Sequence, residues 1–374
     1  MAEWREKALG DITGYISKGI PPAYTDKDST TAICVLNQKC NKNFDISYED
    51  SRYHDVALRK VPSEKMLRAG DVLINSTGEG TAGRVAQIFR IPVPTTIDGH
   101  MIVMRPTDEV DSVYYGYAIK NCQKKIESIA EGSTGQTEIN RRRLQEEVLI
   151  KYPVDKDIQK AIGHFLFGID EKIRNNRKIN DNLQQQAQAI YSSMFIDNPD
   201  PAWSHGHLSD LITVKYGKDH KKLADGIYPV YGSGGIMRYV ERPLYNKESV
   251  LIPRKGTLNN VMYVNQPFWS VDTMFYTEMK LPNVAKFVYH FVKAKDLASM
   301  NAGSAVPSMT TDILNAMEVV IPSASALEEF ESLVAPIYEA MEANDVQSKA
   351  LSQMRDTLLP KLMSGEINVS AVQL

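Results

Sequence analysis

The sequence predicts a mixed α+β protein in which two globular α/β domains alternate with two long helices. Two observations favour this fold class: the chain passes twice through a similar series of short strings, and each pass ends in a long segment of heptad-spaced residues. A chain of 374 residues is also longer than one hydrophobic core usually accommodates. We therefore expect a pseudo-twofold internal repeat with globular domains at 1–153 and 202–322, a first helix at 154–201, and a second helix with a tail at 323–374.

The predicted repeat rests on five strings that recur in the same order. Each string is short, but five of them in one order are difficult to attribute to chance. In chain order the pairs are LGDI (9–12) and LSDL (208–211), GDVLI (70–74) and ESVLI (248–252), TIDGHMIVMRP (96–106) and SVDTMFYTEMK (270–280), EGSTGQ (131–136) and AGSAVP (302–307), and EEVLIKYP (146–153) and MEVVIP (317–322).

The two long segments, Asp157–Phe195 and Ser325–Met363, predict coiled-coil helices. In each segment five positions follow one another at seven-residue spacing, and the second set lies 168 residues after the first. These predicted helix-pairing residues are Ile162, Ile169, Asn176, Leu183 and Ile190, and then Phe330, Ile337, Asn344, Leu351 and Leu358. The central asparagine of both sets marks either a partly exposed point of the helix or a buried polar layer that fixes register.

Each globular segment contains a strand, a glycine turn and a second strand, at 72–93 and at 249–271. GEGTAG within the first turn matches the dinucleotide-binding fingerprint, but the stretch RVAQIFRIPVP that follows favours a strand over the helix that this fingerprint requires. Asp272, Glu278 and Lys280 resemble an acid–acid–lysine metal site of nucleases, although surface charges on a strand explain them more simply. We therefore predict no catalytic site, metal or cofactor in this chain.

Composition predicts a cytoplasmic protein without a membrane segment. The chain has three cysteines and no CxxC pair, it lacks a stretch of about 20 apolar residues, and its charged start differs from a signal peptide. The net charge of −3 hides a gradient, because residues 202–322 carry +3 and residues 323–374 carry −5. The basic third segment permits a local DNA-binding face.

Several strings are similar to those of one family, the specificity subunits of type I restriction–modification systems. They are SKGIPPAYT (17–25), GDVLINSTGEGTAGR (70–84), YPVYGSGGI (228–236), PRKGT (253–257) and LLPKLMSGEI (358–367). Each string is loose alone, but together they are specific, and the resemblance covers essentially the whole chain.

The resemblance implies two target-recognition domains separated by two long helices that pair antiparallel. It implies a subunit that recognises a bipartite, asymmetric sequence in double-stranded DNA and directs its partners there. The implied partners are two methylation subunits, which bind S-adenosylmethionine, and restriction subunits, which use ATP and Mg. The chain itself would be noncatalytic and would bind no cofactor.

DNA-contacting residues of this family vary with the target, so we predict them from chemistry. Arginine and lysine suit guanine edges and phosphates, whereas asparagine and glutamine suit adenine edges. For each residue the alternative is a solvated loop position. In the first domain the predicted contacts are Ser76, Thr77, Glu79, Thr81, Arg84, Ser133, Thr134, Gln136, Arg141, Arg142 and Arg143. In the second they are Lys218, Lys221, Lys222, Tyr231, Ser233, Arg254, Lys255, Asn259 and Asn260.

Two other functions stay open at this point. The chain could be a metal-dependent DNA-processing enzyme, which would require a converging cluster of acidic side chains. It could also be a coiled-coil scaffold whose globular domains bind protein, although Arg254, Lys255 and the basic third segment count against this.

Overall fold

The structure, a computed structural model, describes residues 2–132, 137–300 and 308–369. Its chain divides into two compact units, Met1–Asn175 with Val346–Leu374, and Asn176–Asp345. Each unit therefore contains one globular domain and half of both long helices. The four-segment boundaries expected above treat the helices as separate segments, and they stay a prediction.

In the first unit, a strand-rich domain leads into the first long helix. Its strands are β1 (Trp4–Ala8), β2 (Thr13–Lys18), β3 (Tyr24–Thr25), β4 (Ala32–Leu36), β5 (Asn41–Lys42), β6 (Asp45–Ile46), β7 (Arg52–Asp55), β8 (Val72–Asn75), β9 (Val85–Gln87), β10 (Thr95–Ile97), β11 (Met101–Pro106), β12 (Ala130–Glu131), β13 (Glu138–Ile139) and β14 (Leu149–Pro153). Its helices are α1 (Ser112–Asn121), α2 (Gln123–Ser128), α3 (Arg141–Glu147) and the first half of α4 (Lys156–Ser192).

The second unit follows the same plan with fewer elements. A π-helical turn, Ser193–Asp197, extends α4, and α8 returns to complete both units. The strands are β15 (Ser204–His207), β16 (Ile212–Tyr216), β17 (Asp225–Gly232), β18 (Gly235–Val240), β19 (Ser249–Pro253), β20 (Met262–Val264), β21 (Trp269–Ser270), β22 (Met274–Met279) and β23 (Glu318–Ile321). The helices are α5 (Leu208–Leu211), α6 (Ala285–Lys293), α7 (Thr311–Asn315) and α8 (Ala324–Ser364).

Both units build the same four-stranded antiparallel sheet. The strand order is β2-β11-β8-β9 in the first unit and β16-β22-β19-β20 in the second. The recurring strings occupy equivalent places: the two VLI runs lie in β8 and β19, and LGDI and LSDL form short helical turns before β2 and β16. The internal repeat is thus confirmed for these strings, whereas most of EGSTGQ and AGSAVP lies outside the described residues.

A second sheet in each unit repeats the same mixed pairing. In the first unit β4 pairs parallel with β10 and antiparallel with β7, and in the second β17 pairs parallel with β21 and antiparallel with β18. The first and last strands of each domain also pair, β1 with β14 and β15 with β23. These outer pairs bring the two ends of each domain together immediately before a long helix.

The core of each unit joins its domain to its half of the helix pair. Helix α1 and its counterpart α6 lie against the sheet on one side and the long helices on the other. In the first unit the core includes Val72, Ile102, Tyr114, Tyr117, Leu166 and Leu362. In the second it includes Val250, Phe275, Phe287, Tyr191 and Phe330. Burying these large side chains contributes about 1.5–3 kcal/mol each to folding.

Within each unit the two long helices run antiparallel. In the second unit Asn176 contacts Asn344, and the ring centroids of Phe195 and Phe330 lie 5.2 Å apart. Residue numbers therefore fall along α8 as they rise along α4, which makes the pair antiparallel. The predicted helix-pairing residues have buried or half-buried side chains, and apart from the contact of Asn176 with Asn344 their pairing stays a prediction. Ile162, Ile169, Asn176 and Phe330 are buried, and Leu183, Ile190, Ile337, Asn344, Leu351 and Leu358 are half-buried.

A polar layer crosses the middle of the helix pair, within the second unit. The Asn176 side chain is 1% exposed, and its Nδ2 donates to the backbone carbonyl of Asn344 at 3.3 Å. Asn344 Nδ2 donates to Asn180 Oδ1 at 2.8 Å, and Asn180 Nδ2 donates to Asp345 Oδ1 at 3.0 Å. Of the two interpretations of the central asparagines, this geometry favours the buried polar layer, because a shift of one helix would break these bonds.

In the first unit, an ion pair anchors α1 to both long helices. Asp170 of α4 is 6% exposed; it accepts a hydrogen bond from the Tyr117 hydroxyl at 2.6 Å and contacts Arg355 of α8 at 2.5 Å. Burial and the nearby Asp170 carboxylate raise the pKa of Tyr117. The phenol therefore stays a donor. Removing Arg355 would deprive the buried Asp170 carboxylate of this ion pair, whereas without Asp170 the Arg355 guanidinium would still pair with Asp356 at 2.8 Å.

In the second unit, a buried histidine occupies the corresponding place on α6. His290 Nδ1 lies 2.8 Å from Gln188 Oε1 of α4, and His290 Nε2 lies 3.0 Å from the Tyr338 hydroxyl of α8. Because the Gln188 carbonyl can only accept, Nδ1 carries the proton and Nε2 accepts from Tyr338. Burial lowers the pKa of His290 to about 4, so the ring is neutral at neutral pH.

We predict that His290 makes the second unit sensitive to acid. Because its folded-state pKa lies below the unfolded value of about 6.5, only the unfolded chain takes up a proton as the pH falls from 6.5 towards 4. This linkage should remove about 3 kcal/mol of stability by pH 4. In urea denaturation followed by tryptophan fluorescence, His290→Asn should be less stable than wild type at pH 7.5, and the difference should shrink or reverse at pH 4.

His205→Asn is the matched control, because His205 is exposed on β15. This variant should follow the wild-type pH profile. A constant difference in unfolding free energy between wild type and His290→Asn over pH 7.5 to 4 would contradict the prediction.

Candidate nucleic-acid interface

Equivalent glycine turns follow β8 and β19. The first turn covers 76–84 and ends in β9, and the second covers 254–261 and ends in β20. The predicted pattern of strand, glycine turn and strand is therefore confirmed, and the segment after GEGTAG is a strand, as expected. In both turns the third residue is a glycine with positive φ, Gly78 at 117° and Gly256 at 86°. A side chain at either position would strain the backbone.

A short loop beside each glycine turn begins at Gly19 in the first unit and at Gly217 in the second. Its hydrogen bonds show which residues of the two units are equivalent. Gly19 N donates to the carbonyl of Met101 at 3.1 Å, and Gly217 N donates to that of Met274 at 3.0 Å. A Cβ atom on Gly19 would lie 2.1 Å from the Ile97 carbonyl oxygen, and one on Gly217 would lie 2.0 Å from that of Val271. The backbone can approach these carbonyl oxygens so closely only because both residues are glycines. The same hydrogen-bonding pattern equates Lys18 with Tyr216, Ser76 with Arg254, Thr77 with Lys255 and His100 with Thr273.

The first unit thereby presents a polar surface that we call the first face. It is formed by Lys18, Gln38, Thr77, Glu79, Arg84, His100 and Glu138. The Thr77 hydroxyl lies 2.8 Å from His100 Nδ1 and 3.3 Å from Gln38 Oε1, and Lys18 forms an ion pair with Glu138. Glu79, Arg84 and His100 are exposed, and Arg84 Nη2 donates to the Gly80 carbonyl at 3.1 Å. Thr81 is half-buried within the turn.

The equivalent surface of the second unit, the second face, is more basic. It is formed by Tyr216, Lys218, Lys221, Lys222, Ser233, Arg254, Lys255, Asn260 and Asp272. Arg254 lies over the Tyr216 ring at 5.3 Å, and its Nη1 donates to the Asp272 carbonyl at 3.2 Å. Asn260 Nδ2 donates to the Ser233 carbonyl at 2.7 Å, which joins the glycine turn to the β17–β18 hairpin.

The lysines of the second face are exposed, and none forms an ion pair within the described part of the chain. On the first face, by contrast, Lys18 is neutralised by Glu138. The two faces therefore share a backbone frame but differ in charge.

Two predicted contact residues are buried, and a third is exposed but bound to a neighbouring loop. Ser76 is fully buried, and Tyr231 is 9% exposed with its hydroxyl accepting from Gln266 at 3.3 Å. Ser76 follows core strand β8 and Tyr231 lies in core strand β17, so both side chains point into the protein. The Asn259 side chain donates to Asp296 Oδ1 at 3.0 Å and accepts from Ala298 N at 3.0 Å, which ties it to a neighbouring loop. The predictions of Ser76 and Tyr231 as DNA contacts are corrected by their burial, and that of Asn259, which is exposed, stays a prediction.

The predicted arginine cluster, Arg141–Arg143, opens helix α3 beside the first glycine turn. Arg142 pairs with Glu146 at 2.8 Å and Arg143 pairs with Glu147 at 2.5 Å, each one helical turn away. Both ion pairs are accessible to solvent, and Arg141 and Arg142 are exposed. Ser133, Thr134 and Gln136, predicted in the preceding loop, lie outside the described residues.

The predictions missed six members of these faces, Lys18, Gln38, His100, Glu138, Tyr216 and Asp272. The signal was present in the sequence, because a lysine or tyrosine precedes a glycine at SKG and again at KYG, at equivalent points of the repeat. The close approach at these glycines became apparent only from the fold.

Among the residues that the structure describes, no group of three or more histidine, cysteine, aspartate or glutamate side chains could hold a metal ion. Glu278 pairs instead with Lys215 at 3.6 Å. Within the same described ranges, no helix is long and apolar enough to cross a membrane.

A family model described as the type I restriction modification DNA specificity domain matches residues 1–185 and 202–333. The chain belongs to this family. A specificity subunit of the type I restriction enzyme MjaIX from Methanocaldococcus jannaschii is 24% identical, over 98% of this chain and 94% of its own length. The HindI specificity subunit from Haemophilus influenzae is 20% identical, over 98% and 100%.

The fold is also similar to that of a solved specificity subunit. The crystal structure of the type I restriction–modification S subunit from M. genitalium matches with a TM-score of 0.58 and 19% identity, covering 96% of each chain. These likenesses confirm the resemblance identified from sequence and the mixed α/β fold with long helices. They assign the chain to the specificity subunits of restriction–modification systems rather than to a class of enzymes.

We predict that Gly217→Ala distorts the second face of this specificity subunit. The new methyl group would overlap the Val271 carbonyl, which cannot move without shifting β21 and β22. Urea denaturation should show a loss of about 1–3 kcal/mol. Gly234→Ala is the control, because a Cβ atom there meets nothing within 4 Å, and it should be close to neutral. Equal stability of both variants would contradict the close approach of the backbone at Gly217.

Proposed function

We propose that this chain recognises a bipartite, asymmetric DNA sequence for a type I restriction–modification complex. Each globular domain contacts one half of the target through its polar face, and the two halves differ because the two faces carry different side chains. As a subunit that acts on DNA, it has the cytoplasm as its predicted compartment.

One observation carries this proposal: two domains of one topology place a glycine turn and its adjoining loop in the same arrangement, with different residues on each. Thr77 and His100 in the first unit correspond to Lys255 and Thr273 in the second. A shared frame with exchanged side chains is suited to recognising two unrelated sequences, since base edges are distinguished by donor and acceptor pattern.

The partners are proposed from the family and from the helix surfaces. We infer that two methylation subunits dock on α4 and α8 and that restriction subunits join the assembly. Large apolar side chains exposed on these helices, Ile179 and Leu333 in one unit and Val346 and Met354 in the other, support a protein partner there. S-adenosylmethionine would bind to the methylation subunits, and ATP and Mg to the restriction subunits.

The direct test is to express the full chain with its cognate methylation subunit and to sequence the modified bases in the host DNA. We expect adenine methylation at one two-part motif, which disappears when the gene for this chain is deleted. The purified complex should contain two methylation subunits for each copy of the chain. Methylation at the same motif without this chain would reject the proposal.

The exposed lysines of the second face are expected to contact DNA phosphates. The exposed lysines Lys218, Lys221 and Lys222 should release counterions on binding, so the triple alanine variant should lower the slope of log affinity against log salt by up to about three. The matched control is the triple alanine variant of Lys27, Lys60 and Lys124, which are exposed and belong to neither face. It should leave the salt dependence almost unchanged. An equal change in slope for both triple variants would contradict the assignment of phosphate contacts to the second face.

A further inference from the structure

We propose that Arg254, held on the ring of Tyr216, recognises a guanine in the half-site contacted by the second unit. This inference rests on the proposed function, and it adds the base, the contacting residue and a positioning residue. Tyr216 is the positioning residue, because it acts through Arg254.

The pair stands on a rigid base. Tyr216 is the last residue of β16, where it pairs with Phe275 of β22. The Tyr216 ring packs edge-on against the fully buried Phe275 ring, with centroids 5.0 Å apart, and yet the residue is 52% exposed. The buried ring fixes the position of the exposed one, and the exposed ring supports the Arg254 guanidinium at 5.3 Å.

Arg254 keeps donors available for a ligand. Its one side-chain hydrogen bond within the described residues runs from Nη1 to the Asp272 carbonyl, and no described carboxylate lies within ion-pairing distance. Both contacts restrict the side chain before binding, so less conformational freedom is lost when DNA is bound.

An arginine of the first unit shows what a structural role would look like. Arg105 also lies over a tyrosine, Tyr15, at 4.7 Å. It binds the buried Asp71 carboxylate through two nitrogens at 2.7 and 2.8 Å, and it donates to two backbone carbonyls as well. Its donors are therefore largely occupied within the protein, whereas Arg254 uses only Nη1 for a hydrogen bond to the described residues.

Chemistry selects guanine over the other bases and over phosphate. Guanine presents two adjacent acceptors, O6 and N7, in the major groove, and the arginine fork donates to both. Asp272 is exposed beside Arg254, and its carboxylate would repel a phosphate close to the same guanidinium. The neighbouring Lys218, Lys221 and Lys222 are exposed, and an ammonium group binds a phosphate as a point charge without the two-pronged geometry of arginine.

The first unit has different residues at the two positions that Arg254 and Tyr216 occupy in the second unit. Ser76, which corresponds to Arg254, is fully buried in the first unit, and Lys18, which corresponds to Tyr216, is paired with Glu138. The first unit therefore has no arginine at this position of the frame, and its exposed stacked arginine, Arg52 over Tyr24 at 5.0 Å, stands on β7 instead. This difference would make the two half-sites chemically distinct.

The test uses the full chain with its methylation subunit and duplexes that contain the methylated motif. Each guanine of the motif is replaced in turn by 7-deazaguanine, which lacks the N7 acceptor. We expect one position at which this replacement weakens wild-type binding about ten-fold, with no effect on Arg254→Ala. Arg254→Ala should itself weaken binding to the unmodified motif by about ten- to a hundred-fold and accept other bases at that position.

Tyr216 is tested by its own pair of variants. Tyr216→Phe should keep the guanine preference, and Tyr216→Ala should reduce it while adding no further loss to Arg254→Ala. Arg84→Ala removes a comparable exposed charge from the first unit and should leave this guanine position unaffected.

Two results would overturn the inference while leaving the proposed function intact. One is that wild type and Arg254→Ala respond equally to 7-deazaguanine at every position. The other is that Arg254→Ala weakens all sequences equally and lowers the salt slope by about one, which would identify a phosphate contact. If the wild-type complex prefers no sequence, the proposed function itself fails, and the guanine inference fails with it.

Discussion

The structure depends on one constraint: neither long helix can bury its apolar stripe alone. Each helix contributes half its length to each unit, and the cores are closed only when α4 and α8 lie antiparallel. Leu166 and Leu362 complete the first core, and Tyr191 and Phe330 complete the second. The chain must therefore travel through a whole second domain before α8 can finish the first unit. Register along the seam matters accordingly, and the layer of Asn176, Asn180 and Asn344 supplies it with hydrogen bonds that apolar packing lacks.

The two anchors on the helix pair show how a repeat can keep its geometry while its chemistry changes. Tyr117 uses a charged network with Asp170 and Arg355, whereas His290 uses neutral partners. In the Tyr117 group and in the His290 group, every buried polar atom named here has a hydrogen-bonding partner. Both groups hold a domain helix against α4 and α8. What the fold requires at this place is a satisfied hydrogen-bonding group of suitable reach, not a particular residue.

Much of the fold was predictable because it is periodic. The heptads predicted both long helices to within a few residues, and the recurring VLI strings located β8 and β19. Side-chain placement at the faces was less predictable. Ser76 and Tyr231 are polar residues beside glycine turns, yet each continues a core strand and is buried. Tyr216 was missed because its importance comes from Arg254 and Phe275, which are distant in sequence and adjacent only after β16, β19 and β22 assemble.

The same assembly explains why recognition can vary without loss of the fold. A Cβ atom on Gly19 or Gly217 would lie about 2 Å from a backbone carbonyl oxygen, so these positions tolerate little change. The residues immediately before them, Lys18 and Tyr216, point outward and differ completely. Likewise the glycine turns preserve a positive φ at Gly78 and Gly256 while their neighbours range from threonine to lysine. Backbone sterics thus hold the frame, and the exposed side chains differ between the two units while the frame is kept.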